Sequence, residues 1–522
     1  MTPELSVAMS ERPVPLSDVV RALEVLERHG GSGDPRRVAG SLFVDSRKAV
    51  PGSLFVAVRG FVVDGHRYIG DAIANGAQAV ICEAIPPHPD PEVLFIRVAD
   101  SRKALAEVAP LFYGHASEKL LLIGVTGTNG KTTTARLITE LLNASGIRAG
   151  YIGTGLCRIG DEEIPLERTT PEAHDLQALF SRMFRAGCGA AVMEVSSHAL
   201  VLGRVHNLRF RCAVFTNLSR EHLDFHHTME RYAGAKKLLF DQLDLGGFAV
   251  FNRDDPYAPF MAGAVREERR FCCTLQPEIA AEFPCGRMFS ASVAKRDSVV
   301  TTLELRFPGA LNELVQTELP GNYNIMNLLE ASAVVYGLGV APGGIADALR
   351  QPFRVPGRME RLCDPSGRRC AFVDYAHTPD ALEKALLTLR ELKAPDARLV
   401  VVFGCGGNRD REKRPEMGRI ASGIADFVVL TSDNPRDEDP EAILDEIERG
   451  ISGTDYRRIA PREEAIRVAV AGLLPGDILL VAGKGHETYQ EIAGRRLFFS
   501  DQQVLRSCLG EEVSNANSQG AE

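Results

Sequence analysis

The stretch GVTGTNGKTTT at residues 124–134 ends in Lys131 and Thr132, two side chains suited to phosphate chemistry. A lysine here reaches the terminal phosphates of a bound nucleotide, and the hydroxyl beside it holds Mg²⁺. Gly127, Thr128, Asn129 and Gly130 precede them and Thr133 follows. Their backbone N–H groups can point at an anion, and the glycines let the main chain come close. The strict pattern G-x-x-x-x-G-K-[ST] is not met, because Val125 stands where its first glycine belongs. An ordinary tight turn is the competing reading, and the GKTT ending weighs against it. Such a cradle works between a strand and a helix N-terminus, where the helix dipole favours negative charge. The apolar run at residues 120–123 predicts the strand. Leu137, Leu141 and Leu142, with Gly146 as a stop, predict the helix.

More polar residues gather just past apolar runs, which is where ligands sit in open α/β sheets. In the middle of the chain these clusters are EVSSH at 194–198, TNLSREHLDFH at 216–226 and NRDD at 252–255. Further on, the runs at 370–373, 399–403, 427–430 and 478–481 end in DYAH, GCGGNR, TSDNPR and AGKGHE. Helical patterns lie between the runs, as parallel strands require. Nearer the start, a helix is expected over residues 15–29, strands at SLFVAV and AQAVIC, a helix from His66 to Ala74, and another in SRKALAEVAPLFYGH. The tail EEVSNANSQGAE reads as disordered.

The 522 residues are too many for one core. The reading is an α/β protein of three domains. These are a small N-terminal α/β domain (1–116), a central P-loop parallel-sheet ATPase domain (117–355) and a C-terminal Rossmann-like doubly wound domain (356–522). A net charge of −9 argues against a nucleic-acid surface. No apolar run is long enough to span a bilayer, and the N-terminus has no secretory pattern, so a cytoplasmic protein is expected. Eleven cysteines without paired C-x-x-C spacing suit reduced thiols, with Cys272-Cys273 read as neighbouring strand residues.

Ten stretches together resemble the Mur ligase family: GVTGTNGKTTT, MEVSSHAL, FTNLSREHLDFH, YAGAKKLLF, GNYNIMN, VPGRME, DYAHTPDAL, FGCGGNRDREKRP, SDNPRDEDP and GKGHE. The resemblance runs from about residue 44 to 501, nearly the whole chain. It implies a first domain for the UDP part of a substrate, a second for ATP and a third for an incoming amino acid. It also implies the reaction. ATP phosphorylates a carboxylate of a UDP-N-acetylmuramoyl dipeptide, and an amine captures the acyl phosphate.

The resemblance assigns residues one by one. Mg²⁺ wants oxygen ligands, for which Thr132 and Glu194 are first choices. A second Mg²⁺ is implied at Glu194, His222 and Lys236, with Lys236 carbamylated to N6-carboxylysine. That modification requires a neutral amine. Lys131, Glu194, His222 and Lys236 are the implied catalytic set. Residues 127–133 with Asn252, Asn324, Asn327, Arg358 and Asp374 are the implied ATP site, the adenine lying between the second and third domains. Asn322, beside a glycine, reads as a turn residue. Ser46, Thr169, Thr170, Ser196 and Arg204 are the implied contacts of the UDP-substrate. Arg168 stands where the family often has Asn.

Asp433, Asn434, Pro435 and Arg436 look like the family's diaminopimelate signature. A diaminopimelate side chain ends in a carboxylate beside an ammonium, whereas lysine ends in an ammonium only. Arg436 can clamp that carboxylate bidentately. Arg409 would assist, and Gly483 and Glu487 would take the ammonium and its neighbours. Asn408 stands where many relatives have Asp. The competing readings are a lysine-adding or D-alanyl-D-alanine-adding ligase, a folylpolyglutamate synthase, or a catalytically dead nucleotide-binding scaffold. The expected partners are small molecules (ATP, the UDP-dipeptide and the amino acid), with no nucleic acid or membrane, acting on a monomer.

Overall fold

The computed structural model describes residues 13–31, 37–60, 63–278, 284–296, 300–351, 353–453 and 455–510. The tail expected to be disordered lies outside them. The chain divides into two compact units. One comprises Met1–Leu218, His226–Phe289 and Glu330–Ile345; the other comprises Ser219–Phe225, Ser290–Leu329 and Ala346–Glu522.

Besides a two-stranded pairing of Val14–Pro15 with Val38–Ala39, the first unit carries two larger sheets. The smaller runs Glu27–His29, Leu94–Arg97, Ala77–Cys82, Ser53–Val56, Leu42–Phe43, parallel except at the Glu27–His29 edge. The expected helix over 15–29 is therefore shorter, covering only Leu16–Arg21. Residues 27–29 add to the sheet edge, where a ladder outcompetes a weak helical pattern. The expected helix at 66–74 is a 3₁₀ turn, Gly65–Tyr68, running into Ile69–Ala74.

In the larger sheet Leu121–Thr126 lies between Ala190–Glu194 and Phe210–Phe215, parallel to both. Ala149–Gly153 extends it on one side, and Leu243–Asn252 and Arg270–Thr274 on the other. The central strands are buried on both faces, so they read as unbroken apolar runs rather than alternating ones. Helix Lys131–Ala144 follows the first of them and buries Leu137, Leu141 and Leu142 as its spacing predicts.

The second unit holds a six-stranded sheet in the order Glu360–Cys363, Cys370–Asp374, Ile478–Ala482, Leu399–Phe403, Phe427–Leu430, Tyr456–Arg458. All pairings but the first are parallel. The four apolar runs are thus adjacent strands, and their polar ends share one edge. This unit also contains strands Thr301–Phe307 and Leu311–Thr317, paired antiparallel. Asn322 is not a turn residue but opens the helix Asn322–Gly337; Gly321 takes the turn, at φ 90°.

Two cysteine pairs are bonded, against the expectation of reduced thiols throughout. Cys363 and Cys370 are direct cross-strand partners in an antiparallel register, and Cys272 joins Cys285. Spacing alone does not reveal such a register. The other seven cysteines are free.

Candidate active site

The phosphate loop leaves the central strand at Thr126 and enters the helix at Lys131. Its shape is held by the end of the neighbouring strand. Thr128 N–H donates to the Asn217 carbonyl at 2.9 Å, and Asn129 N–H donates to Asn217 Oδ1 at 3.0 Å. The Asn129 carbonyl accepts from Thr216 Oγ1 at 2.6 Å and from Asn217 Nδ2 at 3.0 Å. A Cβ at Gly127 would stand 1.9 Å from Thr216 Oγ1, so this close approach demands glycine. Lys131 Nζ donates to the carbonyls of Gly127 and Thr128, at 2.9 and 2.7 Å.

Glu194 ends the next strand and is buried. Its Oε1 accepts from Thr132 Oγ1 (2.9 Å), Tyr151 Oη (2.7 Å) and Thr154 N–H (2.9 Å). Thr154 Oγ1 adds a longer bond to Oε2 at 3.3 Å. The Tyr151 phenol is held far above its ordinary range by burial, then by the Glu194 carboxylate. It therefore stays a donor.

Lys236, on helix Met229–Lys237, is buried; its Nζ donates to the Gly127 carbonyl at 2.7 Å and lies 4.5 Å from the centre of the Tyr232 ring. Tyr232 in turn touches Thr128, oxygen to oxygen, at 3.2 Å.

Four of the five residues assigned to the UDP-substrate, Thr169, Thr170, Ser196 and Arg204, gather near the same strand end, and Ser46 does not. Thr170 Oγ1 donates to the Glu194 carbonyl at 2.9 Å and accepts from Ser196 N–H at 3.1 Å. Thr169 meets Thr154 at 3.1 Å, and Arg204 Nη1 donates to the Thr170 carbonyl at 3.2 Å. Burial lowers the Arg204 guanidinium from its ordinary range, with Glu172 opposing. Arg168 also pairs with Glu172, at 2.9 Å. Ser46 is buried on a 3₁₀ turn beyond the smaller sheet, its carbonyl accepting from Asn75 at 3.0 Å. Asn252 braces the Thr216 carbonyl at 2.7 Å.

His222 belongs to the second unit, where its Nε2 lies 3.6 Å from Glu221. Among the described residues no three His, Cys, Asp or Glu side chains gather as a metal cluster. The second unit also holds the other nucleotide candidates. Asn324 and Asn327 are buried on one helix and linked at 3.2 Å. Asp374 accepts from the N–H groups of Met359 and Ala376, and its carboxyl is raised by burial against the pull of Arg358. The Arg358 guanidinium lies 4.7 Å from the Tyr375 ring centre.

At the polar edge of the six-stranded sheet, the loops at 404–409, 433–436 and 483–487 converge. Asn434 Nδ2 donates to Glu487 Oε2 at 2.9 Å. Arg436 Nη1 donates to the Gly407 carbonyl at 2.7 Å, and its Nε lies 3.4 Å from Glu491 Oε2. Asp433 is buried beside Gly483, whose N–H donates to the Asp374 carbonyl at 3.1 Å. Pro435 packs on Gly407. Arg409 is exposed, and Asn408 Nδ2 donates to Asp437 at 2.8 Å. Under these loops Arg414 is fully buried, bound to Glu438, Glu446 and the Gly406 carbonyl. That guanidinium depresses the Glu438 carboxyl to about 2.

The edge combines cations and carboxylates that suit a zwitterion. The phosphate loop combines cations, hydroxyls and one carboxylate. Sequence reasoning missed Tyr151 and Thr154, which flank a strand end in YIGTG; the strand-end rule applied there would have found them. It also missed Lys484 and Arg414, whose roles come from burial.

The chain matches the Mur ligase catalytic domain over residues 41–113, the Mur ligase middle domain over 125–335 and the Mur ligase glutamate ligase domain over 357–485. It is 58% identical over 507 residues to the UDP-N-acetylmuramoyl-L-alanyl-D-glutamate–2,6-diaminopimelate ligase of Chlorobium phaeobacteroides, covering 97% of this chain and 99% of that one.

The chain belongs to the Mur ligase family.

This Mur ligase is also 42% identical to the enzyme of the same name from Geobacillus kaustophilus, over 92% of its own length and 96% of the relative's. Among solved structures, one of a UDP-N-acetylmuramoyl-L-alanyl-D-glutamate–2,6-diaminopimelate ligase superposes with a TM-score of 0.67 at 33% identity, covering 96% and 99% of the two chains. MurF from Acinetobacter baumannii, at 18% identity, TM-score 0.64 and the same coverage, shares the fold with this Mur ligase. Among the described residues no helix is long and apolar enough to cross a membrane.

Proposed function

We propose that this Mur ligase is an ATP-dependent enzyme of peptidoglycan precursor synthesis. It joins meso-2,6-diaminopimelate to the D-glutamate carboxylate of UDP-N-acetylmuramoyl-L-alanyl-D-glutamate. The observation that carries the reading is the loop at 433–436, where Arg436 and Asn434 adjoin Glu487 and Glu491. A guanidinium takes a carboxylate by two parallel hydrogen bonds, and a carboxylate takes an ammonium. Diaminopimelate offers both groups at its distal end and lysine only one. The near full-length likeness to ligases of this name supports the same choice.

The loop at 127–133 receives the ATP phosphates, with Lys131 countering their charge. The terminal phosphoryl group passes to the dipeptide carboxylate, giving ADP and an acyl phosphate. The amine of diaminopimelate attacks the acyl carbon, the amide bond forms and phosphate leaves. Ser46, Thr169, Thr170, Ser196 and Arg204 bind the UDP-dipeptide. Asn252, Asn324, Asn327, Arg358 and Asp374 serve the nucleoside. Arg436 and Arg409 take the distal carboxylate, and Gly483 and Glu487 the distal ammonium.

The Thr132 hydroxyl and the Glu194 carboxylate, 2.9 Å apart, are the hard oxygen donors that Mg²⁺ prefers. Bound there, Mg²⁺ would offset phosphate charge. Glu194, His222 and a carbamylated Lys236 are assigned to a second ion. We further assign domains at 1–116, 117–355 and 356–522, a cytoplasmic location and a monomer.

The test supplies purified protein with ATP, Mg²⁺ and the UDP-dipeptide, and compares meso-diaminopimelate, L-lysine and no amino acid. ADP release that depends on diaminopimelate supports the reading. Release with lysine alone refutes it.

A further inference from the structure

We propose that Lys484 is a positioning residue for the amino-acid site: its buried ammonium decides which atoms of Asn434 and Glu487 face the substrate. The inference rests on the diaminopimelate reading above.

Lys484 lies at 0% exposure, just beyond the strand Ile478–Ala482. Its Nζ donates to Asn434 Oδ1 at 3.0 Å and to Glu487 Oε2 at 2.9 Å. An ammonium has donors only, so it admits only the oxygen end of the Asn434 amide. The Glu491 backbone N–H donates to that same oxygen at 2.9 Å. With its oxygen taken twice, Asn434 must present nitrogen on its other side. One N–H goes to Glu487 Oε2 at 2.9 Å, and the second remains to meet an acceptor.

The same ammonium sorts the two oxygens of Glu487. Oε2 accepts from both Lys484 and Asn434, which leaves Oε1 to meet a donor. The site therefore presents an N–H beside a carboxylate oxygen, the complement of a carboxylate beside an ammonium. Lys484 also sets a positive charge 2.9 Å from the Glu487 carboxylate, whose side chain is only 18% exposed. Without that charge Glu487 would be a poorly compensated anion, and the Asn434 oxygen would lose one of its two donors. Lys484 reaches the substrate only through these two neighbours. Its effect belongs in recognition of the amino acid rather than in phosphoryl transfer.

The test uses the full chain with Lys484→Met and Lys484→Gln, assayed by ADP release with each substrate varied in turn. The expected result for Lys484→Met is a KM for diaminopimelate raised about 30-fold, equivalent to ~2 kcal/mol at 1.4 kcal/mol per tenfold. The KM for ATP should stay within about twofold, and the preference for diaminopimelate over lysine should narrow about tenfold. Lys484→Gln keeps a donor without the charge and should fall between wild type and Lys484→Met; it carries the test if Lys484→Met does not fold. An unchanged KM for diaminopimelate, or equal rises for ATP and diaminopimelate, overturns the proposal. A wild-type chain that forms no ADP with diaminopimelate overturns the substrate reading, and this inference with it.

Discussion

Lys131 and Lys236 share one acceptor. Both ammonium groups donate to the Gly127 carbonyl, at 2.9 and 2.7 Å, and Lys236 does so from a buried position. Two ammonium groups on one carbonyl, one of them buried, make a place for negative charge. ATP phosphates answer Lys131, and a carbamate would turn Lys236 itself into an anion. Lys236→Ala should keep nucleotide affinity within about threefold and lower turnover about 10²–10³-fold, a loss typical of removing a preorganised charged group. Nucleotide titration beside an ADP-release assay checks this, and near-normal turnover refutes it.

Gly153 underlies the Glu194 site. A Cβ there would lie 2.1 Å from Tyr151 Oη and 2.2 Å from Glu194 Oε1, neither of which can retreat from a buried network. Gly153→Ala should therefore displace the carboxylate and reduce kcat about 100-fold, since small misplacements at a reacting site are costly. The KM for diaminopimelate should hold. A kcat within about twofold of wild type would show that the network relaxes around the methyl group.

Arg436 is held by its neighbours before any substrate carboxylate arrives, through the Gly407 carbonyl and Glu491. Arg436→Ala should lower kcat/KM for diaminopimelate about 100-fold or more while leaving any turnover of lysine nearly unchanged. Competition between the two amino acids, read by product mass, measures the ratio. Equal losses on both would move the specificity elsewhere.

Glu330 is fully buried on the helix Asn322–Gly337, and Thr134 Oγ1 of the phosphate-loop helix donates to it at 3.2 Å. Burial holds its carboxyl well above the ordinary 4.5. The folded chain therefore keeps a proton that the unfolded chain releases. The stability this contributes is present below 4.5 and is lost as pH rises from there toward the folded value. Glu330→Gln should melt close to wild type at pH ~5 and roughly 2–4 °C above it at pH ~8, for about 1 kcal/mol relieved in a domain of roughly 150–250 residues that melts as a unit. A melting difference that does not grow with pH refutes the buried-acid reading.

The sequence made the sheets legible because strands covered on both faces read as plain apolar runs. Leu399–Phe403 and Phe427–Leu430 begin and end where those runs do. The phosphate loop was legible because glycine, lysine and threonine have few other reasons to stand in that order. Residues 27–29 were not, because their partner in the ladder is some seventy residues away. Lys484 was not, because a lysine at a strand end reads as solvated until the fold buries it. The Cys363–Cys370 link depended on a hairpin register that thiol spacing does not encode.

Thr216 and Asn217 stitch the phosphate loop into the end of an adjacent strand through four hydrogen bonds. The cradle's form is thereby settled during folding, and an arriving nucleotide has little disorder to remove. Its grip on ATP is then governed by charge and desolvation rather than by moulding. Loosening those stitches should appear in calorimetry as an entropic penalty on nucleotide capture, well before any loss of the cations themselves.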